Sequence, residues 1–243
     1  MKALVERLRK DHTRITVLTG AGVSAASGVP TFRGADGLWK NFKPETLATA
    51  EAFGRDPKLV WEWYAWRRFR IASCEPNAAH HVLADWSRRF ANFKLITQNV
   101  DGLHERAGTE NTIRLHGSIW EVSCWQACVT SPQRWTDRRV TFKELPPRCP
   151  YCDGMLRPGV VWFGETLETD VVSHASRATD CDVFITVGTS AVVYPAAGFL
   201  EQARRNRAFT VEINPEATPA TGAVDLALQG GAESILPAIA AQL

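Results

Sequence analysis

Short apolar runs that alternate with helical stretches predict an α/β chain with a doubly wound, Rossmann-like parallel sheet. Three observations carry that prediction. The runs Ile15–Thr19, Phe93–Thr97, Val183–Val187 and Phe209–Ile213 are mostly β-branched, aliphatic or aromatic, with only Lys94 and Glu212 charged, as strands buried on both faces tend to be. Each is followed by a turn of small or polar residues rather than by another strand. Between Ser118 and Pro158 the texture changes to cysteine, proline and polar residues, which marks an inserted smaller unit.

The elements follow in chain order. Met1–Asp11 is a short charged amphipathic segment. Ile15–Thr19 leads through Gly20-Ala21-Gly22 into a helix start near Ser24. Asp56–Cys74 is an aromatic-rich helix, and Asn77 caps a second one running to about Phe90. Strand Phe93–Thr97 and a third strand near Thr112–Leu115 precede the insert. Val183–Val187, helix Pro195–Arg207, strand Phe209–Ile213 and a closing helix Ser234–Leu243 complete the alternation. On this reading residues 12–33, 76–117 and 159–243 form the larger domain, and 34–75 with 118–158 the smaller.

The 243 residues carry 28 Lys+Arg against 26 Asp+Glu, a net charge of +2 that gives no electrostatic case for binding nucleic acid. No apolar run reaches the length of a membrane span, and the N-terminal segment lacks the apolar stretch and cleavage site of a signal peptide. A cytoplasmic protein is expected. The arginine groups Arg67, Arg68, Arg70 and Arg204, Arg205, Arg207 read as solvated helix faces.

Gly20-Ala21-Gly22-Val23-Ser24-Ala25 fits G-x-G-x-x-G/A between a strand and a helix, where bare backbone can approach a pyrophosphate. The pattern alone is weak, and a plain tight turn would produce it too. A dehydrogenase would place a ribose-binding acid roughly 20 residues on; here the chain enters Ser27–Gly34, with Arg33 embedded in it. Two further turns, Gly188-Thr189-Ser190 and Asn214-Pro215, end later strands. Three such turns on one sheet favour a dinucleotide at the switch point. The segment Thr97–His104 puts an amide pair (Gln98, Asn99), an acid (Asp101) and a histidine just past a strand end, more chemistry than a turn needs. His116 ends the next strand on the same sheet edge and can serve as a general base near neutral pH.

Cys124 and Cys128 pair by spacing, as do Cys149 and Cys152. Two close pairs make a closed, tetrahedral, structural zinc site. Such a site would fold an insert otherwise poor in core residues. Cys74 and Cys181 belong to core elements.

Taken in order, Gly20–Ser24, Ser27–Arg33, Thr97–His104, His116-Gly117, the four cysteines and Gly188–Ser190 resemble the sirtuin family. The resemblance implies an NAD-consuming protein-lysine deacylase whose small domain is part helical and part zinc ribbon, and whose partners are acylated lysines. It implies that Gly20, Ala21, Gly22, Ser24 and Arg33 meet the phosphates and nicotinamide side of NAD. Gln98 and Asn99 would meet the nicotinamide ribose, and Asp101 the carboxamide. Gly188, Thr189, Ser190, Asn214 and Ala232 would hold phosphates and adenosine, with His116 as base. The first cysteine pair has three intervening residues where the family more often has two. A narrower resemblance links Trp61–Arg68, Val160–Glu165 and Gly188–Pro195 to the branch that removes succinyl and malonyl groups. It implies that Tyr64 and Arg67, at i and i+3 on one helix face, read an acyl carboxylate, with Val161 and Phe163 lining the acyl channel. ADP-ribosyl transfer on the same fold and a zinc-containing NAD(P) dehydrogenase remain the alternatives.

Overall fold

The computed structural model describes residues 1–31 and 44–243; Arg33 and its neighbours lie outside them. In chain order the elements are α1 (Lys2–Leu8), β1 (Ile15–Thr19), a 3-10 turn (Ala21–Ser27), α2 (Pro44–Leu47), α3 (Ala50–Arg55), α4 (Pro57–Ala72), α5 (Ala78–Arg89), β2 (Phe93–Thr97), α6 (Leu103–Arg106), β3 (Ile113–Arg114), β4 (Gly117–Cys124), β5 (Trp135–Thr136), β6 (Leu156–Val160), α7 (Thr169–Ala178), β7 (Val183–Val187), α8 (Ala196–Arg205), β8 (Phe209–Asn214), β9 (Leu226–Gln229) and α9 (Ala232–Ala240).

Six parallel strands form one sheet in the order β3-β2-β1-β7-β8-β9. The chain winds outward from β1 in one direction, then returns to β7 and winds the other way, so the switch point lies between β1 and β7. Register makes the strand ends level: Thr19 pairs with Thr97 on one side and Val187 on the other, and Val187 with Ile213. Alternate residues feed opposite faces. Val17, Leu95 and Ile185 pack with Leu4, Leu83 and Leu236 from α1, α5 and α9. Leu18, Ile96 and Phe184 pack with Ala175 and Phe199 from α7 and α8.

A second sheet, β5-β4-β6, is antiparallel and holds the cysteine-rich insert. The insert is not poor in core: Ile119, Val122 and Leu156 pack directly on Phe53, Val60, Trp61 and Tyr64 of α3 and α4. The two excursions from the large domain therefore build one small domain around one core. β9 and α7 escape a reading of periodicity because each commits so little. β9 alternates half-buried leucines with exposed Ala227 and Gln229, and α7 fully buries only Ala175.

Arg67 and Arg68 of α4 depart from the expectation of a solvated face, while Arg70 is exposed as expected. Arg68 is fully buried. Its Nε donates to the Ile119 carbonyl at 2.7 Å, its Nη2 to the Glu121 carbonyl at 3.2 Å and its Nη1 to Asp137 at 3.2 Å. The guanidinium also lies beside the Trp61–Phe142 ring pair, 5.4 and 5.7 Å from the two centroids. Burial pulls its pKa down to about 10, so it stays charged at neutral pH. Burial alone would raise the Asp137 carboxyl, but Arg139 and Arg68 hold it below its ordinary value. Helix α4 buries a wide face, Val60, Trp61, Trp63, Tyr64, Arg67, Arg68 and Ile71, and leaves Lys58, Glu62 and Arg70 to solvent. Exposed sequence neighbours such as Trp66 and Phe69 blur the periodicity that would have revealed this.

Removing one partner of a buried, multiply bonded ion pair leaves the others uncompensated. Arg68→Met is expected to lower the unfolding free energy by about 3–5 kcal/mol in denaturant titration. An unchanged midpoint would show that Arg68 does not hold the two excursions together.

Candidate active site and metal centre

The loops after β1, β2, β7 and β8 surround a cleft of about 1230 Å³ at the switch point. Its tightest feature is backbone against backbone. A Cβ on Gly20 would stand 2.8 Å from the Gly188 carbonyl oxygen, and one on Gly22 2.7 Å from the Gly188 Cα. Gly188 itself has φ +58 and would drive a Cβ to within 2.5 Å of the Val23 nitrogen. The glycines allow the β1 and β7 turns to interlock, sealed by Gly22 N–H donating to the Gly188 carbonyl at 2.8 Å. This leaves the 3-10 turn Ala21–Ser27 starting at the cleft.

Ser24 and Asp101 lie beneath the floor, buried and not lining the cleft. The Asn77 backbone N–H donates to His80 Nδ1, so that nitrogen is bare and His80 Nε2 carries the proton. Nε2–H then faces Ser24 Oγ at 3.3 Å, Asn99 Nδ2 donates to the same oxygen at 3.2 Å, and Ser24 donates to Asp101 Oδ2 at 2.9 Å. Asp101 Oδ1 accepts the Leu103 N–H at 2.8 Å. Burial raises the Asp101 pKa, opposed by these bonds and by the Arg67 charge. Burial lowers His80 to about 4. His104, its ring tilted against that of His80 with centroids 4.9 Å apart, also titrates low through burial, and its Nε2 meets Thr19 Oγ1 at 2.9 Å. Thr19 bonds Thr97, which accepts the Asn99 N–H. The buried histidines thus set the loop that carries Gln98 and Asn99.

Gln98, Asn99 and His116 line the cleft itself. The Gln98 carbonyl can only accept, so His116 Nδ1, 3.0 Å away, holds the proton and the neutral ring keeps Nε2 as a lone-pair acceptor. Burial lowers the His116 pKa and the Gln98 bond opposes it. Across the sheet, Gln98 Nε2 donates to Thr189 Oγ1 at 2.9 Å, and Asn214 Nδ2 to the Thr189 carbonyl at 2.8 Å. Gly188, Thr189, Ser190 and Asn214 therefore stand together on the far wall. Ala232 is buried, flanked by the lining residues Gly231 and Glu233.

Tyr64 and Arg67 of α4, with Val161 and Phe163 just past β6, line the remaining wall. Arg67 is only 7% exposed, with its guanidinium 4.7 Å from the Trp63 ring centroid. Burial lowers its pKa, and the nearby Tyr64 and Asp101 oppose that. Tyr64 is buried as well, its pKa raised by burial. Phe163 is tied across by donating its N–H to the Ala48 carbonyl. Sequence reasoning quoted Trp162 without giving it a part; it too lines this wall and donates Nε1–H to Tyr64.

The four cysteines come together as their spacing implied. Their sulfurs lie within 4.8 Å of one another, with Cys124–Cys152 at 3.6 Å and Cys128–Cys149 at 3.9 Å. Zinc–thiolate bonds of about 2.3 Å in a tetrahedron need sulfurs roughly 3.8 Å apart. The donor set fits structural zinc. The extra residue of the first pair is absorbed at Ala127, which has φ 47 and returns its N–H to the Cys124 carbonyl.

A dinucleotide crevice at the switch point, with a tautomer-fixed histidine on its edge and a closed thiolate centre alongside, defines an α/β enzyme that uses a nucleotide cofactor. The Sir2 family matches residues 20–195, and the chain belongs to that family. A protein of Aquifex aeolicus named NAD-dependent protein deacylase is 54% identical over 217 residues, 89% of each chain. A Sir2 homologue solved as its NAD complex superposes with a TM-score of 0.90 at 43% identity, covering 98% of this chain and 92% of that one. A Sir2 mutant solved with a deacetylated p53 peptide and 3′-O-acetyl ADP-ribose superposes at 0.88 with 28% identity, covering 100% of this chain and 98% of that one.

Elemental analysis is expected to find one zinc per chain. Cys149→Ser, at a buried ligand, is expected to release it and to lose much of a coupled folding energy on the order of 10 kcal/mol. Full zinc content in that variant would refute the four-thiolate centre.

Proposed function

We propose that this chain is a protein-lysine deacylase that consumes NAD and accepts acyl chains ending in a carboxylate, succinyl and malonyl, as well as acetyl. The family and its named relatives support the deacylase chemistry. The observation that carries the acyl reading is the buried pair Tyr64 and Arg67 on the cleft wall. A phenol and a guanidinium at the end of an apolar channel suit a terminal carboxylate.

The glycine turns, with Ala21 between them, would hold the cofactor phosphates together with Ser190 and Thr189, and Asn214 and Ala232 the adenosine end. Gln98 and Asn99 would meet the nicotinamide ribose, Asp101 the carboxamide through the Ser24 network, and Arg33 the same side. NAD would supply the electrophilic ribose carbon and water the remaining oxygen, so that the products are free lysine, nicotinamide and acyl-ADP-ribose. Val161 and Phe163 orient the acyl-lysine so that its amide oxygen faces the ribose. His116 Nε2, left bare by the Gln98 bond, takes a proton from a ribose hydroxyl. A closed thiolate shell offers no open metal position, which disfavours the dehydrogenase alternative.

We place the protein in the cytoplasm. All six cysteines are unbridged, as a reducing compartment keeps them. Among the described residues no helix is long and apolar enough to cross a membrane.

Burial holds the His116 pKa below its ordinary 6.5, so the neutral base is present at pH 7 and is lost only as pH falls through the lowered value. The acid limb of kcat/KM is expected below pH 6.5, and His116→Ala is expected to remove turnover by about a thousandfold while NAD still binds. An acid limb above pH 7 would remove His116 from that role. The acyl reading is tested by Arg67→Met with matched succinyl- and acetyl-lysine peptides. The succinyl-to-acetyl ratio of kcat/KM is expected to fall about a hundredfold, the scale of a charge-assisted carboxylate contact. An unchanged ratio would end the carboxylate reading.

A further inference from the structure

Trp162 is an indole whose ring is fixed on every side. It is 3% exposed, stacks at 5.3 Å on Phe53, and lies 3.8 Å under the guanidinium of Arg157. Arg157 is clamped in turn by a bidentate pair with Glu165, at 2.5 and 2.8 Å. Glu165 also accepts the Trp162 backbone N–H at 2.8 Å. The effect is to aim a single donor: Trp162 Nε1–H meets the Tyr64 hydroxyl at 2.9 Å.

The chemistry of that contact has one direction. Indole nitrogen can donate and cannot accept. Arg67, whose guanidinium lies 5.5 Å from the Tyr64 ring centroid, is also a donor only. The phenol oxygen accepts from the indole, and neither neighbour has a lone pair to take its proton. Its one proton is therefore excluded from both neighbours and must be given elsewhere. Tyr64 lines the cleft, so the open direction is toward the acyl channel. Without the indole N–H, the hydroxyl could rotate and waste its proton on another acceptor.

We propose that Trp162 is a specificity-determining positioning residue: it forces the Tyr64 hydroxyl to act as a donor toward the acyl terminus, so that the pocket prefers an oxyanion over a neutral methyl. The inference rests on the carboxylate reading of Tyr64 and Arg67. It extends that reading to a residue that acts through Tyr64.

The test compares succinyl- and acetyl-lysine peptides in Trp162→Phe, Tyr64→Phe, the double variant and Arg67→Met. Phenylalanine keeps an aromatic ring against Phe53 and Arg157 and deletes the donor. Zinc content and thermal unfolding check the fold of each variant. Where Trp162→Phe does not fold, benzothienylalanine at position 162 keeps the bicycle and replaces N–H with sulfur. The succinyl-to-acetyl ratio of kcat/KM is expected to fall about tenfold in Trp162→Phe, the scale of one hydrogen bond. In the Tyr64→Phe background the same substitution is expected to change the ratio no further, because nothing is left to orient. Additive losses would mean that Trp162 acts through packing, and would overturn the inference. A ratio unchanged by Trp162→Phe but lowered by Tyr64→Phe and Arg67→Met would also overturn it, while leaving the carboxylate reading intact. A ratio unmoved by any of the four variants would overturn both.

Discussion

The architecture depends on one steric constraint: the turns after β1 and β7 occupy the same space only because neither carries side chains there. Gly20, Gly22 and Gly188 meet at distances no Cβ permits. Since β1 and β7 are the inner neighbours at the switch point, this contact sets how deep the crevice is and where its backbone N–H groups point. Level strand ends then deliver Gln98, Thr189 and Asn214 to one rim, where they bond each other across three strands. Buried polar groups there are satisfied in fixed directions, so donor and acceptor roles follow by elimination at Ser24, His80 and His116.

Electrostatics inside the small domain work by the same exclusion of alternatives. Arg68 is an expensive group to bury. Its cost is offset because it bonds carbonyls of β4 that would otherwise face apolar side chains of α4. Arg157 is a second case, sandwiched between Glu165 and the face of Trp162. In each case a cation fixes a neighbour's orientation, and in the second that neighbour, Trp162, lines the cleft wall.

Much of this was legible in the sequence because buried parallel strands leave unbroken apolar runs, and glycine turns after them have few other uses. The four cysteines were legible from spacing alone. Arg68 was not, since an arginine in a run of charged helix residues looks solvated until the β4 carbonyls are placed beside it. Trp162 was not, because in sequence a tryptophan among apolar residues reads only as core. Its single polar atom acquires meaning when Tyr64, 98 positions away, arrives opposite it. β9 was invisible because alanine and glutamine carry little strand preference. Arg33, which the family resemblance singles out, falls outside the described residues.

The shared core of the small domain has a consequence for how such a chain can arise and change. Its two halves leave the larger domain at separate points, one after β1 and the other after β3. Each alone would present an uncovered apolar surface: Phe53, Val60 and Trp61 on one, Ile119, Val122 and Leu156 on the other. Neither insertion could have been kept as a solitary intermediate in its present form, and neither can now be trimmed or exchanged without the other. Residues 50–72 and 117–160 are a single inheritable unit written in two places, and substitutions across their seam are under joint rather than separate selection.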